Sequence, residues 1–340
     1  MTSIGLSRRA MLALAASVPL SVVASRRAVA AAPPIRYTMT AFTNASQTDM
    51  WVYESTDATN FRLVQADAYR PPDAVPADTP AAAATTKKGL CRDPSVFRHI
   101  DGEYYVTYTT AWGGNTIGFA RSRDRIHWEF LYEYTIPFGG VTHTWAPEWF
   151  VDRDGTVSVL VNINDGTVFR PCVMTATTSS LSRLHWTTPI PLAGFIPAPG
   201  GLGYIDTTVK LSQGRYYAFV KNESTKNVEV AVADRLVGPY TFARTGNWAR
   251  WGGPGPGQPR EGQCVIPLPD GRWRIYLDAY DLDEPTHGHY LYSDTVTGDL
   301  LGEWTTPKDL PVLSGFVRHF TVLPEQLNTG PQPGPKPVTR

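Results

Sequence analysis

Three carboxylic acids each stand at the start of a strand-like segment, far apart along the chain. Asp93 opens Asp93-Pro94-Ser95-Val96, Asp206 opens Asp206-Thr207-Thr208-Val209, and Glu261 opens Glu261-Gly262-Gln263-Cys264. Hydrolysis of a glycosidic bond requires two carboxyl groups, one protonated to assist the leaving oxygen and one ionised. An isolated acid at a strand start is as easily a turn-capping residue. A catalytic role therefore depends on whether the fold brings these three side chains together.

A strand-opening pattern of this kind occurs five times, at intervals of about 55 to 60 residues, close to the longer blade repeats of β-propellers. Its members are Asp93, the run Trp145-Ala146-Pro147-Glu148, Asp206, Glu261 and the pair Arg318-His319. Strand pairs follow them, joined at turns such as Asp154-Gly155 and Asp270-Gly271. Such turns between aromatic and β-branched runs favour β-hairpins.

A second pattern, an aromatic residue at the outer end of each repeat, shows how the repeats close. It occurs at Phe61, Trp128, Trp186, Tyr240 and Trp304. The first of these precedes every strand-opening motif, and His319 has none after it. Both unmatched signals are explained if strands between residues 37 and 66 share a blade with residues 318–323. The sequence thus predicts an all-β, five-bladed β-propeller over residues 36–325, closed by strands from both ends of the chain.

The inner strands of a propeller line its axis, so this fold would gather Asp93, Asp206, Glu261 and His319 at one end of the central channel. Strands on opposite sides of the channel could hold Asp93 and Glu261 at the separation of about 6.5 to 9.5 Å that admits an attacking water. We expect like-charge repulsion from Asp206 to raise the pKa of Glu261 and keep that residue protonated near neutral pH.

The composition excludes some other classes of function. Lys and Arg together number 31, as do Asp and Glu, so a nucleic-acid-binding surface is not indicated. The odd number of cysteines, Cys91, Cys172 and Cys264, predicts buried free thiols, and no Cys/His spacing predicts zinc. We expect a monomer without a membrane span.

Both ends of the chain differ in composition from the repeats. Residues 1–30 have the features of a twin-arginine signal peptide, with Arg8-Arg9, an apolar segment, and Ala28-Val29-Ala30 as a cleavage site. We expect its removal and secretion of the protein; a membrane anchor is the alternative, but the apolar segment is short and contains Pro19. Residues 328–340 are rich in Pro and Gly and are predicted to be a disordered tail.

The five motifs resemble the blade-opening motifs of glycoside hydrolase family 43, in the order found in that family. They are Arg92-Asp93-Pro94-Ser95, Trp145-Ala146-Pro147-Glu148, Tyr204-Ile205-Asp206-Thr207, Arg260-Glu261-Gly262 and Arg318-His319-x-Thr321-Val322. The resemblance implies a five-bladed propeller and inverting hydrolysis, with Asp93 as general base, Asp206 as pKa modulator and Glu261 as general acid. Two departures are Gln263 after Glu261-Gly262, where the family commonly has Pro, and Phe320 after Arg318-His319, where Gly is frequent.

His319 resembles the axial histidine that faces a water-coordinated calcium in many members of the family. The resemblance therefore implies a structural calcium at the propeller axis, held through water, and no cofactor required for the reaction.

Further runs resemble the exo-acting α-L-arabinofuranosidases of that family. These are Trp145-Ala146-Pro147-Glu148-Trp149-Phe150, Phe219-Val220-Lys221-Asn222-Glu223 and Thr245-Gly246-Asn247-Trp248-Ala249. The resemblance implies removal of terminal arabinose from α-1,5-arabinan or arabino-oligosaccharides of plant origin. The candidate sugar contacts are Trp145, Glu148, Asn222 and Arg318. The alternatives are a β-D-xylosidase of the same family and a carbohydrate-binding propeller without turnover; the latter would predict the loss of at least one carboxylate.

Overall fold

The computed structural model describes residues 33–43, 45–73, 89–183, 185–252, 259–280 and 289–327. These residues form twenty β-strands: β1 (Ile35–Thr43), β2 (Met50–Ser55), β3 (Arg62–Tyr69), β4 (Arg92–Arg98), β5 (Tyr104–Thr109), β6 (Thr116–Ser122), β7 (Trp128–Thr135), β8 (His143–Val151), β9 (Val157–Asn164), β10 (Phe169–Thr175), β11 (Ile190–Pro191), β12 (Tyr204–Ser212), β13 (Arg215–Asn222), β14 (Asn227–Ala233), β15 (Thr241–Arg244), β16 (Arg260–Pro267), β17 (Trp273–Ala279), β18 (His289–Asp294), β19 (Lys308–Asp309) and β20 (Val317–Gln326). Across these ranges no helix is long and apolar enough to cross a membrane. The predicted signal peptide and C-terminal tail lie outside the described residues.

The strands form five four-stranded antiparallel sheets, which are the blades of a propeller. Four blades follow the chain in order, β4–β7, β8–β11, β12–β15 and β16–β19, and the fifth has the order β20-β1-β2-β3. The first strand of each blade contacts the corresponding strand of the next, and β20 contacts β4, so the inner strands form a closed ring. The prediction of an all-β, five-bladed propeller is confirmed.

The fifth blade joins the two ends of the ordered chain. β1 pairs with β20 from Ile35 opposite Gln326 to Thr43 opposite Val317. This pairing covers edges that an open array of blades would leave with unpaired backbone groups. The fifth blade also packs against the β16–β19 blade, since the ring of Phe320 on β20 stacks on Tyr290 of β18 with centroids 4.3 Å apart.

A β-bulge lies near the start of each of the five inner strands. In each blade two paired positions that are three residues apart on the inner strand lie opposite positions two apart on its neighbour. One residue of each bulge has a positive φ: Asp93 (50°), Ala146 (48°), Asp206 (54°), Gly262 (55°) and His319 (26°). Bulges of this kind bend a strand and redirect its side chains, and they are frequent beside active sites.

Removal of β20 tests the closure of the ring. A chain that ends after Gly315 lacks β20, so β1 loses its partner and the inter-blade core loses Phe320, which is fully buried. Loss of one buried Phe side chain alone costs about 3 to 5 kcal/mol. We expect this truncated protein to aggregate or to lose its cooperative thermal transition by circular dichroism.

A chain that ends after Leu327 keeps every described strand and serves as the matched control. We expect its melting temperature to equal that of the full chain. Equal stability of the two truncated proteins would contradict the closed ring.

Candidate active site

The bulges bring residues of all five inner strands to one end of the propeller axis. A cavity of about 340 Å³ lies there. The residues immediately before the positive-φ positions all line it: Arg92, Trp145, Ile205, Glu261 and Arg318. Of the positive-φ residues themselves, Asp93, Asp206 and His319 line it. The predicted convergence of Asp93, Asp206, Glu261 and His319 is therefore observed.

Glu261 does not occupy the same position of its blade as Asp93 and Asp206. The expectation that all three acids occupy the same position at the start of their strands is wrong by one residue. The position equivalent to Asp93 is held by Gly262, where a Cβ atom would lie 2.9 Å from Cγ of His319. A side chain at residue 262 would therefore collide with the His319 ring, and the carboxylate of this blade comes from the residue before the bulge.

Asp93 is held as an anion by its neighbours. Thr109 Oγ1 donates a hydrogen bond of 2.7 Å to Oδ2, and His319 Nδ1 lies 3.2 Å from Oδ1. Burial alone would raise the pKa of Asp93, but the positive charge and hydrogen bond of His319, together with Arg92 and Thr109, hold it below its ordinary value. An ionised carboxylate in this position can accept a proton from water across a wide pH range.

Of the three predicted catalytic acids, Asp206 is the one whose pKa is raised. The cation next to it is His319. Burial, followed by the negative charges of Glu261 and Asp93, raises the pKa of Asp206 to about 6 against the opposing effect of His319 and Lys221. Its Oδ2 accepts a hydrogen bond of 3.0 Å from the backbone N–H of Gly262. Burial lowers the pKa of His319, but Asp206 and Asp93 more than compensate and raise it to about 9.

Glu261 lies between two cations. Lys221 Nζ is 2.6 Å from its Oε2, and Arg318 donates through Nη2 to its Oε1 at 2.8 Å. Burial raises the pKa of Glu261, but Lys221 and Arg318 outweigh it and lower the pKa to about 2. The expectation that Asp206 keeps Glu261 protonated near neutral pH is therefore wrong for this arrangement, because two cations outweigh the repulsion from one neighbouring carboxylate.

Aromatic side chains form the wall next to Asp93. Trp112 and Trp145 meet edge to face with centroids 5.8 Å apart, and the indole N–H of Trp145 donates to the backbone O of Trp112 at 2.8 Å. The Arg92 guanidinium lies between the rings of Trp112 and Phe42, at 4.0 and 4.5 Å from their centroids. This wall offers flat apolar surface beside the carboxylates, which suits the face of a sugar ring.

Two of the four predicted sugar contacts line the cavity and two do not. Trp145 and Arg318 line it. Glu148 follows the bulge of β8, and its carboxylate instead binds Thr208 Oγ1 at 2.5 Å and Lys210 Nζ at 3.2 Å. Asn222 turns away from the cavity, because its Oδ1 caps the turn after β13 by accepting the N–H of Ser224 at 3.0 Å. The structure does not support a sugar contact for either residue.

The two residues that flank Asn222 belong to the cavity, although the sequence predicted no role for them. Lys221 and Glu223 both line the cavity. The signal in the sequence was Lys221 itself, which ends the otherwise apolar stretch Tyr216–Val220 of a central strand. A lysine is almost never fully buried unless it is paired, so this position pointed to acids nearby that the linear sequence does not identify.

The residues present do not form a direct metal site. In the described part of the chain, no three His, Cys, Asp or Glu side chains are grouped to hold a metal ion. His319 Nδ1 faces Asp93. The four cavity carboxylates, Asp93, Asp206, Glu223 and Glu261, are matched by Arg92, Lys221, Arg318 and His319. A calcium held through water near His319 stays a prediction.

Comparison with solved structures identifies proteins that share the fold of this chain. No family model and no curated protein matches the sequence. An endo-1,4-beta-xylanase from Bacteroides thetaiotaomicron is 14% identical with a TM-score of 0.58, over 82% of this chain and 95% of that chain. A GH43 (glycoside hydrolase family 43) protein from Bacillus licheniformis is 13% identical with a TM-score of 0.56, over 84% and 56%. An alpha-L-arabinanase from Cellvibrio cellulosa, solved with arabinohexaose, is 16% identical with a TM-score of 0.53, over 81% and 91%. At these identities the likeness shows a shared fold.

The pairing of His319 with Asp93 can be tested by titration. We expect the His319 ring to titrate with a pKa of about 9, observed by ¹H–¹⁵N NMR and assigned by the loss of its signals in His319→Gln. Asp93→Asn removes an anion 3.2 Å from Nδ1, so the imidazolium loses stabilisation and the pKa should fall.

Asp154→Asn, which removes an exposed turn carboxylate, is the matched control and should leave the titration unchanged. A His319 pKa at its ordinary value in the wild type, or one insensitive to Asp93→Asn, would contradict the proposed electrostatics.

Proposed function

We propose that this protein is an inverting glycoside hydrolase of the family 43 type, an exo-acting α-L-arabinofuranosidase that releases terminal arabinose from α-1,5-arabinan or arabino-oligosaccharides. The observation that carries the proposal is the convergence of Asp93, Asp206 and Glu261 in one cavity. The neighbours in fold, which include an arabinanase solved with arabinohexaose and a xylanase, support a carbohydrate substrate.

The reaction assigns a separate role to each carboxyl group. Asp93 is the general base: it accepts a proton from the water that attacks the anomeric carbon. Glu261 is the general acid: it gives a proton to the glycosidic oxygen as the bond to the anomeric carbon breaks. Asp206 acts through its charge: it forms an ion pair with His319 and repels the carboxylate of Glu261.

The cavity walls favour a single terminal sugar. Trp112, Trp145 and Phe42 close the side next to Asp93, while Arg318 and Lys221 lie on the side of Glu261. Exo action requires the cavity to end where the terminal sugar ends, and we expect the aromatic side chains beside Asp93 to form that end. The resemblance of the Trp145–Phe150 run to arabinofuranosidases supports arabinose rather than xylose, and a β-D-xylosidase is the alternative.

Export is the remaining part of the proposal. The Arg8-Arg9 motif supports secretion by the twin-arginine route. The three cysteines are buried and free. Unpaired thiols suit a protein that folds in the reducing cytoplasm before it is transported.

Product analysis tests the substrate and the cutting mode together. We expect arabinose as the sole early product from linear α-1,5-arabinan, with slow loss of viscosity, measured by chromatography and viscometry. Early release of oligosaccharides would indicate an open, endo-acting groove, and release of xylose from xylo-oligosaccharides alone would favour the β-D-xylosidase. Binding of these glycans without any product would favour a non-catalytic propeller.

Substitution of the two principal carboxylates tests their roles. A sugar alkoxide needs protonation to leave, whereas nitrophenolate does not. Glu261→Gln should therefore lose about 10² to 10⁴ in kcat on arabino-oligosaccharides and much less on nitrophenyl α-L-arabinofuranoside. Asp93→Asn should lose activity on both substrates alike, because both need the activated water.

Glu303→Gln, an exposed acid in the outer part of the β16–β19 blade, should keep wild-type activity on both substrates. Circular dichroism should show the same fold for all three variants. Equal damage by Glu261→Gln on both substrates, or a substrate spared by Asp93→Asn, would show that the roles of base and acid are assigned incorrectly.

A further inference from the structure

Lys221 is a buried cation shared by two acids of the cavity. Its side chain is 2% exposed. Its ammonium lies 2.6 Å from Glu261 Oε2, 3.0 Å from Glu223 Oε2 and 3.0 Å from the hydroxyl of Tyr280. A lysine ammonium has three N–H donors. Two of them hydrogen bond to Glu261 and Tyr280, whereas the contact with Glu223 is an ion pair in which Glu223 Oε2 accepts no hydrogen bond from any described residue. Glu261 belongs to the proposed machinery, whereas Glu223 has no role in the mechanism so far.

This arrangement conflicts with proton donation by Glu261. One carboxylate oxygen is engaged by Arg318 at 2.8 Å and the other by Lys221 at 2.6 Å. A cation at such a distance opposes a proton on the oxygen it touches. To protonate a glycosidic oxygen, Glu261 must lose one of these two partners.

The two cations differ in how easily they can be released. Arg318 is anchored from behind, since its Nε donates at 2.6 Å to the carboxylate of Asp278, which is fully buried. Lys221 has other acceptors already in contact, namely Glu223 Oε2 and the Tyr280 hydroxyl. Lys221 can leave Glu261 and stay neutralised, whereas release of Arg318 would leave buried charges without a full set of partners.

We propose that Glu223 is a positioning residue that competes with Glu261 for the Lys221 ammonium, so that Glu261 can carry the proton for the leaving oxygen. The proposal rests on the proposed function and extends it. As the glycosidic oxygen approaches Oε2, the ammonium moves onto Glu223 and Tyr280 and keeps its own proton. Glu261 takes a proton from solvent and passes it to the glycosidic oxygen, and the proton of the attacking water ends on Asp93.

Glu223 is itself held in position from outside the cavity. Its other oxygen, Oε1, accepts from Lys226 in the turn between β13 and β14. The charged and titratable groups that face Lys221 and Glu261 from the surrounding elements are Asp206 on β12, Asp278 on β17, Tyr280 after β17, and Arg318 and His319 on β20. None of these groups forms an ion pair with Lys221; besides Glu261, the described carboxylate that does so is Glu223, at 3.0 Å.

Glu223→Gln tests the proposal through the pH dependence of kcat. Without the competing charge, Lys221 remains on Glu261, which then loses its proton at lower pH. We expect the alkaline limb on arabino-oligosaccharides to move down by about one pH unit. At pH values above the alkaline limb, kcat of the variant should therefore be about tenfold lower than that of the wild type. The rate on nitrophenyl α-L-arabinofuranoside should change little, since that leaving group needs no proton.

A double-mutant cycle separates competition for Lys221 from direct repulsion between Glu223 and Glu261. Lys221→Met should move the alkaline limb up, and adding Glu223→Gln in that background should move it no further. A downward shift that persists without Lys221 would overturn the proposal, because the effect would then be direct. If Lys221→Met does not fold, Glu223→Gln alone decides by the position of the limb and the leaving-group dependence.

Glu129→Gln is the matched control, since it makes the same chemical change at an exposed acid of outer strand β7. It should leave both pH profiles unchanged. An unmoved limb in Glu223→Gln, or a parallel loss on both substrates, would overturn the role of Glu223 while the proposed function stands. A wild-type protein that cleaves no glycoside would overturn the proposed function, and this proposal with it.

Discussion

The structure depends on one backbone constraint, the β-bulge repeated at the start of all five inner strands. Each bulge turns one or two successive side chains toward the axis, so eight residues from distant parts of the chain border one small volume. Four of the five positive-φ positions hold residues other than Gly, and such conformations cost of order 1 kcal/mol or more each. Contacts between blades hold them: the bulge N–H of Ala146 binds Thr109 Oγ1 and that of Gly262 binds Asp206 Oδ2. The site and the ring therefore stabilise each other.

Charge neutrality is the second constraint that follows from this convergence. Four acids, two buried and two partly buried, would repel one another strongly in one cavity without compensation, and four basic side chains line the same walls. The distribution of those bases, rather than burial alone, sets the ionisation of each acid. Asp93 has the hydrogen bond from His319, Glu261 has both Lys221 and Arg318, and Asp206 has no cation as close, so its pKa alone rises. Two of the three carboxyl groups are thereby held ionised, while the third, Asp206, keeps its proton to higher pH.

The fold could be predicted from the sequence because the blade repeat and its incomplete ends are local patterns. The convergence of Asp93, Asp206 and His319 followed from that geometry. The ionisation of Glu261 could not be predicted, because it depends on Lys221 of β13 and Arg318 of β20, which are distant in sequence and are brought together only by the fold. Glu148 and Asn222 were misplaced for a related reason: a one-residue bulge or a turn cap reverses the direction of a side chain, and neither is visible as a repeat.

The central claim is that two carboxyl groups act from opposite sides of a sugar, one on water and one on the leaving oxygen. The anomeric configuration of the first product tests this directly. ¹H NMR during the first minutes of hydrolysis of an α-L-arabinofuranoside should show β-L-arabinofuranose first, followed by slow mutarotation, because water attacks the face opposite the leaving group. Initial appearance of the α-anomer would mean a covalent intermediate on the enzyme and would contradict Asp93 as a general base.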